Sequence, residues 1–243
     1  MIIFQATRSL LFEIGRAAIT ILVVPFGLLA LPMNPVSRSR ILGWCANLVI
    51  PWLRITCGIS HQIKGQNNIP EGPCVLLVKH QSAWETFALQ TIFPPQTWVL
   101  KKELLYIPIF GWGLWASKPI AIDRNDKFNA LDQVVTQGKR ILKEGRWVVI
   151  FPEGTRVAYG LKKKYSVGGA KLAVEANVPI IPVAHDAGRL WGKGSFLKRS
   201  GTINVAIGEP IVTAGKDPRE LTKQAEQWIE NQINEWVIRP DTP

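Results

Sequence analysis

The residues best suited to chemistry stand where an apolar run gives way to a polar turn. Val75–Val78 is predicted to be a buried strand, and His80 follows it directly in the turn. Glu85 lies five residues later, where the sequence predicts the first turn of a helix. Five residues on one continuous helix correspond to about 500° of rotation, so the two side chains meet only if His80 stays in the turn. A histidine oriented by a carboxylate is suited to act as a general base; a surface or capping pair is the alternative.

Two arginines follow later predicted strands. Arg124 comes just after Ile120–Ile122, and Arg156 ends the segment Phe-Pro-Glu-Gly-Thr-Arg at 151–156, which follows another apolar run. Arginine binds phosphate bidentately, Gly154 lets backbone N–H groups approach an anion, and Thr155 adds a hydroxyl donor. Ligands of such sheets bind beyond the carboxyl ends of the strands. These residues therefore predict a basic pocket on the same edge as the histidine turn.

The charge balance also points to anionic partners. Lys and Arg outnumber Asp and Glu by 29 to 18, for a net charge of +11, and there are 10 Trp. Basic chains favour nucleic acid, acidic lipid surfaces or phosphorylated substrates, and tryptophan prefers the membrane interface. The run Lys162, Lys163 and Lys164 is either a solvated surface or a contact for lipid headgroups or an acidic carrier.

The elements that must position these residues alternate along the chain. Strands are predicted at 75–78, 98–100, 120–122, 147–151, 180–184 and 203–207, with helices between several of them, at 129–144 and 166–176. This order predicts an α/β fold with a mixed, largely parallel sheet flanked by helices. A last helix is predicted to begin at Pro218, with Asp217 as its N-cap and Glu220 in its first turn.

Two uncharged segments precede this domain. Residues 17–37 carry no charge, and a second uncharged stretch covers 41–53. Three interpretations compete: a signal peptide, which lacks a clear cleavage site, a single spanning helix, and a helix–turn–helix anchor that dips into one leaflet. We predict a hydrophobic helical membrane anchor at 1–54 and a catalytic domain at 55–243.

Several other chemistries lack their motifs. The sequence has no Gly-x-Ser-x-Gly elbow, P-loop, complete dinucleotide fingerprint or nucleic-acid module. It contains three His and no His-Glu-x-x-His, so we expect no metal site. The three Cys form no Cys-x-x-Cys pair, and we interpret them as reduced thiols of a protein that faces the cytosol.

Four segments, in order, resemble the motifs of the glycerolipid acyltransferase family, which includes the 1-acylglycerol-3-phosphate (lysophosphatidate) acyltransferases. These are His-Gln-Ser-Ala-Trp-Glu at 80–85, Lys-Pro-Ile-Ala-Ile-Asp-Arg at 118–124, Phe-Pro-Glu-Gly-Thr-Arg at 151–156 and Val-Pro-Ile-Ile-Pro-Val at 178–183. The first segment departs from the family's His-x4-Asp motif because Glu85 replaces the aspartate. Late acyltransferases of lipid A share that pattern, whereas the third segment favours the lysophosphatidate branch.

The resemblance implies transfer of an acyl chain from acyl-carrier protein or acyl-CoA to the sn-2 hydroxyl of 1-acylglycerol 3-phosphate, giving phosphatidate, without a cofactor. His80 would be the general base and Glu85 its orienting partner. The implied acceptor pocket comprises Arg124, Glu153, Gly154, Thr155 and Arg156. The implied acyl-donor side or site wall comprises Val178, Pro179, Ile180, Ile181 and Pro182. We expect an enzyme of the inner (cytoplasmic) membrane with its catalytic domain facing the cytoplasm, and no nucleic-acid partner.

Alternatives stay open at this point. Another acyltransferase acceptor, such as a lyso-ornithine lipid or a lipid A precursor, would suit the same motifs. A non-catalytic protein that binds anionic lipid through its basic face would leave the motif series unexplained. The sequence does not choose between the two thioester carriers, and backbone N–H groups near His80 are our expectation for the donors to the oxyanion.

Overall fold

The computed structural model describes residues 2–123 and 127–238, including all their side chains except those of Lys127, Phe128 and Ile238. Within these residues the strands are β1 (Ile59–Lys64), β2 (Val75–Val78), β3 (Gln96–Lys101), β4 (Ile120–Ile122), β5 (Trp147–Ile150), β6 (Ile180–His185) and β7 (Gly201–Ile207). The helices are α1 (Ile2–Leu29), α2 (Pro35–Cys57), α3 (Trp84–Ile92), α4 (Phe110–Ala116), α5 (Lys127–Lys143), α6 (Gly168–Ala176) and α7 (Pro218–Ile238).

The strands form one sheet in the order β1-β7-β6-β2-β5-β3-β4. Every neighbouring pair is parallel except β6 and β7, so β1 and β7 run opposite to the other five. The predicted mixed, largely parallel sheet flanked by helices is confirmed. Strand β1 was not predicted, because four of the six residues of its segment, Ile-Ser-His-Gln-Ile-Lys, are polar and it occupies an edge of the sheet.

Strand β2 lies at the centre of the sheet, between β6 and β5. All four of its residues are buried, and they alternate between two cores. Leu76 and Val78 pack in the core beneath α1, α2 and α3, whereas Val75 and Leu77 pack in the core beneath α5, α6 and α7. Because the side chains of a strand alternate between its faces, both helical layers can cover a strand that is entirely apolar. The turn that carries His80 therefore follows a strand that is buried on both faces.

The first two helices belong to the first of these cores. Phe12 of α1 is buried edge-on against Trp191, with ring centroids 5.3 Å apart. Glu13 binds Lys198 Nζ at 2.6 Å, and Leu53 of α2 is 1% exposed. Helix α2 continues to Cys57, where Gly58 ends it in the left-handed region at φ 66°. The domain boundary that we predicted at residue 54 thus falls inside α2, and that division remains a prediction.

A wide apolar surface remains exposed on the N-terminal side of the molecule. Helix α1 is long and apolar enough to cross a membrane, with a mean hydropathy of 1.7 in its most apolar window and 22% of that window buried. Exposed apolar side chains also occur on α2 and on the segment around α4: Trp44, Leu48, Tyr106, Phe110, Trp112 and Trp115. Exposed apolar side chains in this number, with tryptophan among them, are typical of a surface that contacts lipid.

Candidate active site

The backbone of His80 is fixed from two sides. The residue follows β2 at the carboxyl edge of the sheet, and its N–H donates to Glu153 Oε2 at 2.8 Å. Its carbonyl accepts from the Val157 N–H at 2.7 Å. Both partners lie on the loop that follows β5, the neighbour of β2 in the sheet. The third predicted motif is therefore brought against the first by strand pairing.

The structure brings His80 and Glu85 together. The imidazole Nδ1 lies 2.8 Å from Glu85 Oε1, and the carboxyl group is fully buried in the first turn of α3. The same oxygen accepts the backbone N–H groups of Gln81 at 2.9 Å and Ser82 at 2.8 Å. A negative charge is favourable at this end of a helix. Glu85 thereby holds the backbone of the turn before α3 and the imidazole with the same oxygen.

These contacts keep Glu85 ionised. Burial alone works to raise the pKa of its carboxyl group, but the nearby His185 and His80 and the hydrogen bonds from His80 and Ser82 outweigh burial and lower that pKa. A carboxylate can only accept, so Nδ1 of His80 must carry the proton in the neutral ring. The other nitrogen, Nε2, is then the one with a free lone pair, as a general base requires.

Phe151 fixes the face of the same imidazole ring. The two rings stack with centroids 3.9 Å apart and planes 15° from parallel. Together with the Glu85 contact at the ring edge, this packing leaves 15% of the His80 side chain exposed. Phe151 belongs to the third motif, but nothing in the sequence indicated that its ring would stack on that of His80.

A second histidine, His185, lies next to Glu85 and contacts the residue before His80. It lies at the end of β6, is 1% exposed, and has Nε2 2.8 Å from the Lys79 carbonyl and 3.9 Å from Glu85 Oε2. Its Nδ1 accepts the Ala187 N–H at 3.3 Å, so the neutral ring donates from Nε2. Burial is the main cause that lowers the pKa of His185. Sequence reasoning missed this residue because only the pairing of β6 with β2 brings it to the site.

The loop at 151–156 divides into an inward and an outward part. Glu153 is 2% exposed, and its Oε1 lies 2.8 Å from Lys79 Nζ while Oε2 holds the His80 N–H. Burial is the main cause that raises the pKa of this carboxyl group. Gly154 takes a left-handed φ of 68°, and Thr155 and Arg156 are partly exposed. Of the predicted pocket residues on this loop, the glutamate thus contacts the histidine turn, and the threonine and arginine remain open to a ligand.

The remaining predicted site residues are placed differently. Arg124 lies outside the described residues. The segment Val178, Pro179, Ile180, Ile181 and Pro182 leads into β6 and forms its first half, and the Pro179 carbonyl accepts the N–H of Val75 at the amino end of β2. The segment is therefore part of the sheet beside β2, and it is the end of the strand, at His185, that reaches the His80 edge. A role for 178–182 as the acyl-donor wall remains a prediction.

Our expectation for the oxyanion donors needs correction. The backbone N–H groups of His80, Gln81 and Ser82 all donate to carboxylates, the first to Glu153 and the other two to Glu85. A donor already bound to a carboxylate cannot also stabilise an oxyanion at full strength. These three amides instead hold the carboxylates of Glu85 and Glu153 against the turn.

The site as built suits proton transfer. It contains a fixed imidazole with an available Nε2, a buried carboxylate next to it and a loop with partly exposed hydroxyl and guanidinium donors. Residues 2–123 and 127–238 contain no group of three His, Cys, Asp or Glu side chains arranged to hold a metal ion. Such an arrangement can activate a hydroxyl group for attack on an ester or thioester.

Comparison with known proteins agrees with this chemistry. Residues 60–186 match the family model described as Acyltransferase. The chain is 44% identical to the 1-acyl-sn-glycerol-3-phosphate acyltransferase of Pseudomonas aeruginosa, over 95% of this chain and 92% of that protein. It is 31% identical to the enzyme of the same name from Saccharomyces cerevisiae, over 72% of this chain and 59% of the yeast protein.

A solved structure shares the fold. The crystal structure of the 1-acyl-sn-glycerophosphate acyltransferase from Thermotoga maritima superposes with a TM-score of 0.79 at 20% sequence identity, covering 95% of each chain. The match extends over the N-terminal helices as well as the sheet, because so little of either chain lies outside it.

Proposed function

The chain belongs to the acyltransferase family, and from that premise we propose that it transfers a fatty acyl chain from a thioester to the sn-2 hydroxyl of 1-acylglycerol 3-phosphate, giving phosphatidate. The observation that carries this proposal is the His80–Glu85 pair, with its Nδ1–Oε1 distance of 2.8 Å, beside the 151–156 loop. The acceptor is the substrate named for the relatives from Pseudomonas aeruginosa and Saccharomyces cerevisiae.

In the proposed mechanism Nε2 of His80 removes the proton of the acceptor hydroxyl as its oxygen attacks the thioester carbonyl. The tetrahedral intermediate then collapses with cleavage of the C–S bond, and the imidazolium returns the proton to the leaving thiolate. Glu85 keeps Nδ1 protonated and stabilises the imidazolium. The acceptor hydroxyl is itself the nucleophile, so the enzyme forms no covalent intermediate. General-base catalysis of this kind contributes about 10²- to 10⁴-fold.

The acceptor phosphate would bind at the loop that follows β5. Arg156 and Thr155 are partly exposed there, and a guanidinium binds phosphate through two parallel hydrogen bonds. Glu153 would act by positioning, because its oxygens are engaged by Lys79 and by the His80 N–H. Arg124 remains a further candidate for the phosphate, although β4, which precedes it, is three strands from β2, about 14 Å at the usual strand spacing.

The acyl donor would arrive as acyl-carrier protein or acyl-CoA, each strongly anionic. Lys162, Lys163 and Lys164 are exposed on the loop between β5 and α6. This loop lies close to the site, because the carbonyl of its Leu161 accepts a hydrogen bond from Lys79. The proposed enzyme would lie on the cytoplasmic face of the inner membrane, with the apolar surface of α1, α2 and α4 in contact with lipid.

The test is a matrix of labelled acyl-carrier protein and acyl-CoA against a panel of acceptors, using the purified full-length protein. We expect phosphatidate from lysophosphatidate, and a loss of about 10²- to 10⁴-fold in kcat for His80→Ala. His61→Gln is the matched control, since His61 lies on the edge strand β1. Preferred acylation of a lyso-ornithine lipid or a lipid A precursor would overturn the assigned acceptor. Full activity of a folded His80→Ala protein would overturn the mechanism.

A further inference from the structure

A lysine that the proposed reaction does not use is buried beside the general base. Lys79 precedes His80, and its side chain is completely inaccessible to solvent. Burying a charged ammonium group is very unfavourable unless it is paired and hydrogen-bonded. The partners of this lysine should therefore be specific, and one of them, Glu153, also contacts the catalytic turn.

The ammonium group uses three acceptors. Nζ lies 2.8 Å from Glu153 Oε1 and 2.7 Å from Glu230 Oε1, and it donates to the Leu161 carbonyl at 3.3 Å. The contacts with Glu230 and Leu161 are hydrogen bonds, and the contact with Glu153 is an ion pair. The Tyr165 hydroxyl also donates to Glu230 Oε1, at 3.1 Å. The lysine is thus held between two buried carboxylates from distant parts of the chain.

These contacts form a continuous path from the C-terminal helix to the base. Glu230 lies in α7 and binds Lys79; Lys79 binds one oxygen of Glu153; the other oxygen of Glu153 accepts the His80 N–H at 2.8 Å. The backbone of the lysine is tied as well, since its carbonyl lies 2.8 Å from Nε2 of His185. Lys79, the residue next to the base, is therefore restrained through both its side chain and its main chain.

We propose that Glu230, acting through Lys79 and Glu153, is a positioning residue for His80, so that the C-terminal helix sets the geometry of the catalytic turn. The expected effect on kcat rests on the proposed function, whereas the expected effect on the geometry of the turn rests on the contacts alone. Without Glu230, the ammonium group of Lys79 loses the carboxylate 2.7 Å away that fixes its position, and it shifts towards Glu153, its remaining carboxylate partner. Glu153 then shifts relative to the His80 N–H that it accepts.

The kinetic test uses Glu230→Leu and Glu230→Gln in the full-length protein. Misplacement of a catalytic group by about 1 Å can cost on the order of 10²-fold. We expect Glu230→Leu to lower kcat by that order with little change in KM for lysophosphatidate, and Glu230→Gln, which keeps an acceptor oxygen, to lose less. Glu235→Gln is the control, since Glu235 lies on the same helix and is exposed. An unchanged kcat in folded Glu230→Leu would overturn the proposal.

A substrate-free measurement separates this proposal from the proposed function. Hydrogen–deuterium exchange of the peptide that covers 79–85 should be faster in Glu230→Leu than in wild type, with exchange in the sheet strand β7 unchanged. Unchanged exchange at 79–85 would overturn the proposal even if the enzyme were inactive on lysophosphatidate. If Glu230→Leu does not fold, Glu230→Gln, which removes the charge that pairs with Lys79 and keeps the side-chain size, supplies the comparison, and an unchanged 79–85 peptide in that variant counts against the proposal.

A double substitution tests the order of the path. If Glu230 acts only through Glu153, the losses in kcat of Glu153→Gln and Glu230→Gln should not multiply, and the double variant should resemble Glu153→Gln alone. Independent, multiplicative losses would show that Glu230 affects the enzyme by another route and would overturn the proposal.

Discussion

At the scale of single residues, the carboxylate at position 85 does more than orient an imidazole. Its Oε1 accepts from His80 Nδ1 and from the N–H groups of Gln81 and Ser82. The family's His-x4-Asp motif has an aspartate at this position, and glutamate is longer by one methylene. This extra length lets the carboxyl group reach back from the first turn of α3 to all three donors. The replacement of aspartate by glutamate is therefore accommodated by the turn itself.

Substitutions at position 85 should separate charge from reach. Glu85→Gln keeps the length but cannot stabilise an imidazolium, and Glu85→Asp keeps the charge but is too short for all three donors. We expect both to lower kcat, by at least about 10-fold for Glu85→Gln, while circular dichroism shows a folded protein. Full activity in Glu85→Gln would show that the carboxylate charge is dispensable.

Phe151 offers a second residue-scale prediction. Its ring lies 3.9 Å from that of His80, centroid to centroid, and a leucine would fill much of the volume without a flat surface to stack on. We expect Phe151→Leu to lower kcat by about 10-fold, since a less restrained imidazole spends less time in the reactive orientation. Phe87→Leu is a suitable control, because that phenylalanine packs at the margin of the same core. A larger effect of Phe87→Leu than of Phe151→Leu would contradict this interpretation.

At the scale of elements, the loop after β5 combines support and recognition. Its glutamate faces the histidine turn, whereas Arg156 stays partly exposed one strand away from His80. We expect Arg156→Ala to reduce kcat/KM more for a phosphate-bearing acceptor than for a neutral monoacylglycerol, because only the first loses a charge-assisted pair worth about 1.5–3 kcal/mol. Lys193→Ala is a control of similar charge. Equal losses with both acceptors would count against binding of the phosphate by Arg156.

The N-terminal helices give a second prediction at this scale. Phe12, Val49 and Leu53 share a core with the central strand residues Leu76 and Val78. Removal of residues 1–54 would expose that core, and we expect the truncated chain to be insoluble or to unfold cooperatively at a lower temperature than the intact protein. Recovery of a soluble 55–243 fragment with an intact melting transition would show that the predicted boundary separates independent domains.

At the scale of the whole molecule, buried histidines link stability to pH. Burial lowers the pKa of His185 below its ordinary value of 6.5, and burial lowers that of His61 in the same direction. Below pH 6.5 the unfolded chain therefore binds protons that the folded chain does not, so stability falls as pH decreases. The buried His185 contributes at most about 1.4 kcal/mol per pH unit, and the partly exposed His61 contributes less because solvent screens its charge. Glu85, whose pKa is also lowered, adds to the loss only at more acidic pH.

Melting temperatures at pH 7.5 and pH 5.5 test this linkage. We expect a lower Tm at the acidic pH, a smaller difference in His185→Gln, and an intermediate difference in His61→Gln. A wild-type Tm that rises on acidification would contradict the sign derived from burial.

The sequence by itself determined the local features. Alternation of apolar runs with helical segments predicted the sheet class, and Asp217 caps α7 as predicted, accepting from the Arg219 N–H at 2.6 Å. His80 and Glu85 were identifiable because five residues that cross a strand-to-helix turn are enough to bring two side chains into contact. Such features depend on neighbours within one turn or strand, and their physical causes can be read along the chain.

Only the tertiary structure decided which distant groups support that pair. Glu230 lies 151 positions from Lys79, and on a helix stripe a glutamate normally indicates the solvated side. His185 reaches the site through the pairing of β6 with β2, and Glu153 turns inward because Lys79 is buried beneath it. A buried charge is stable only with its partners in place. The choice of those partners depends on how the sheet brings strands together, and the order of residues along the chain does not contain it.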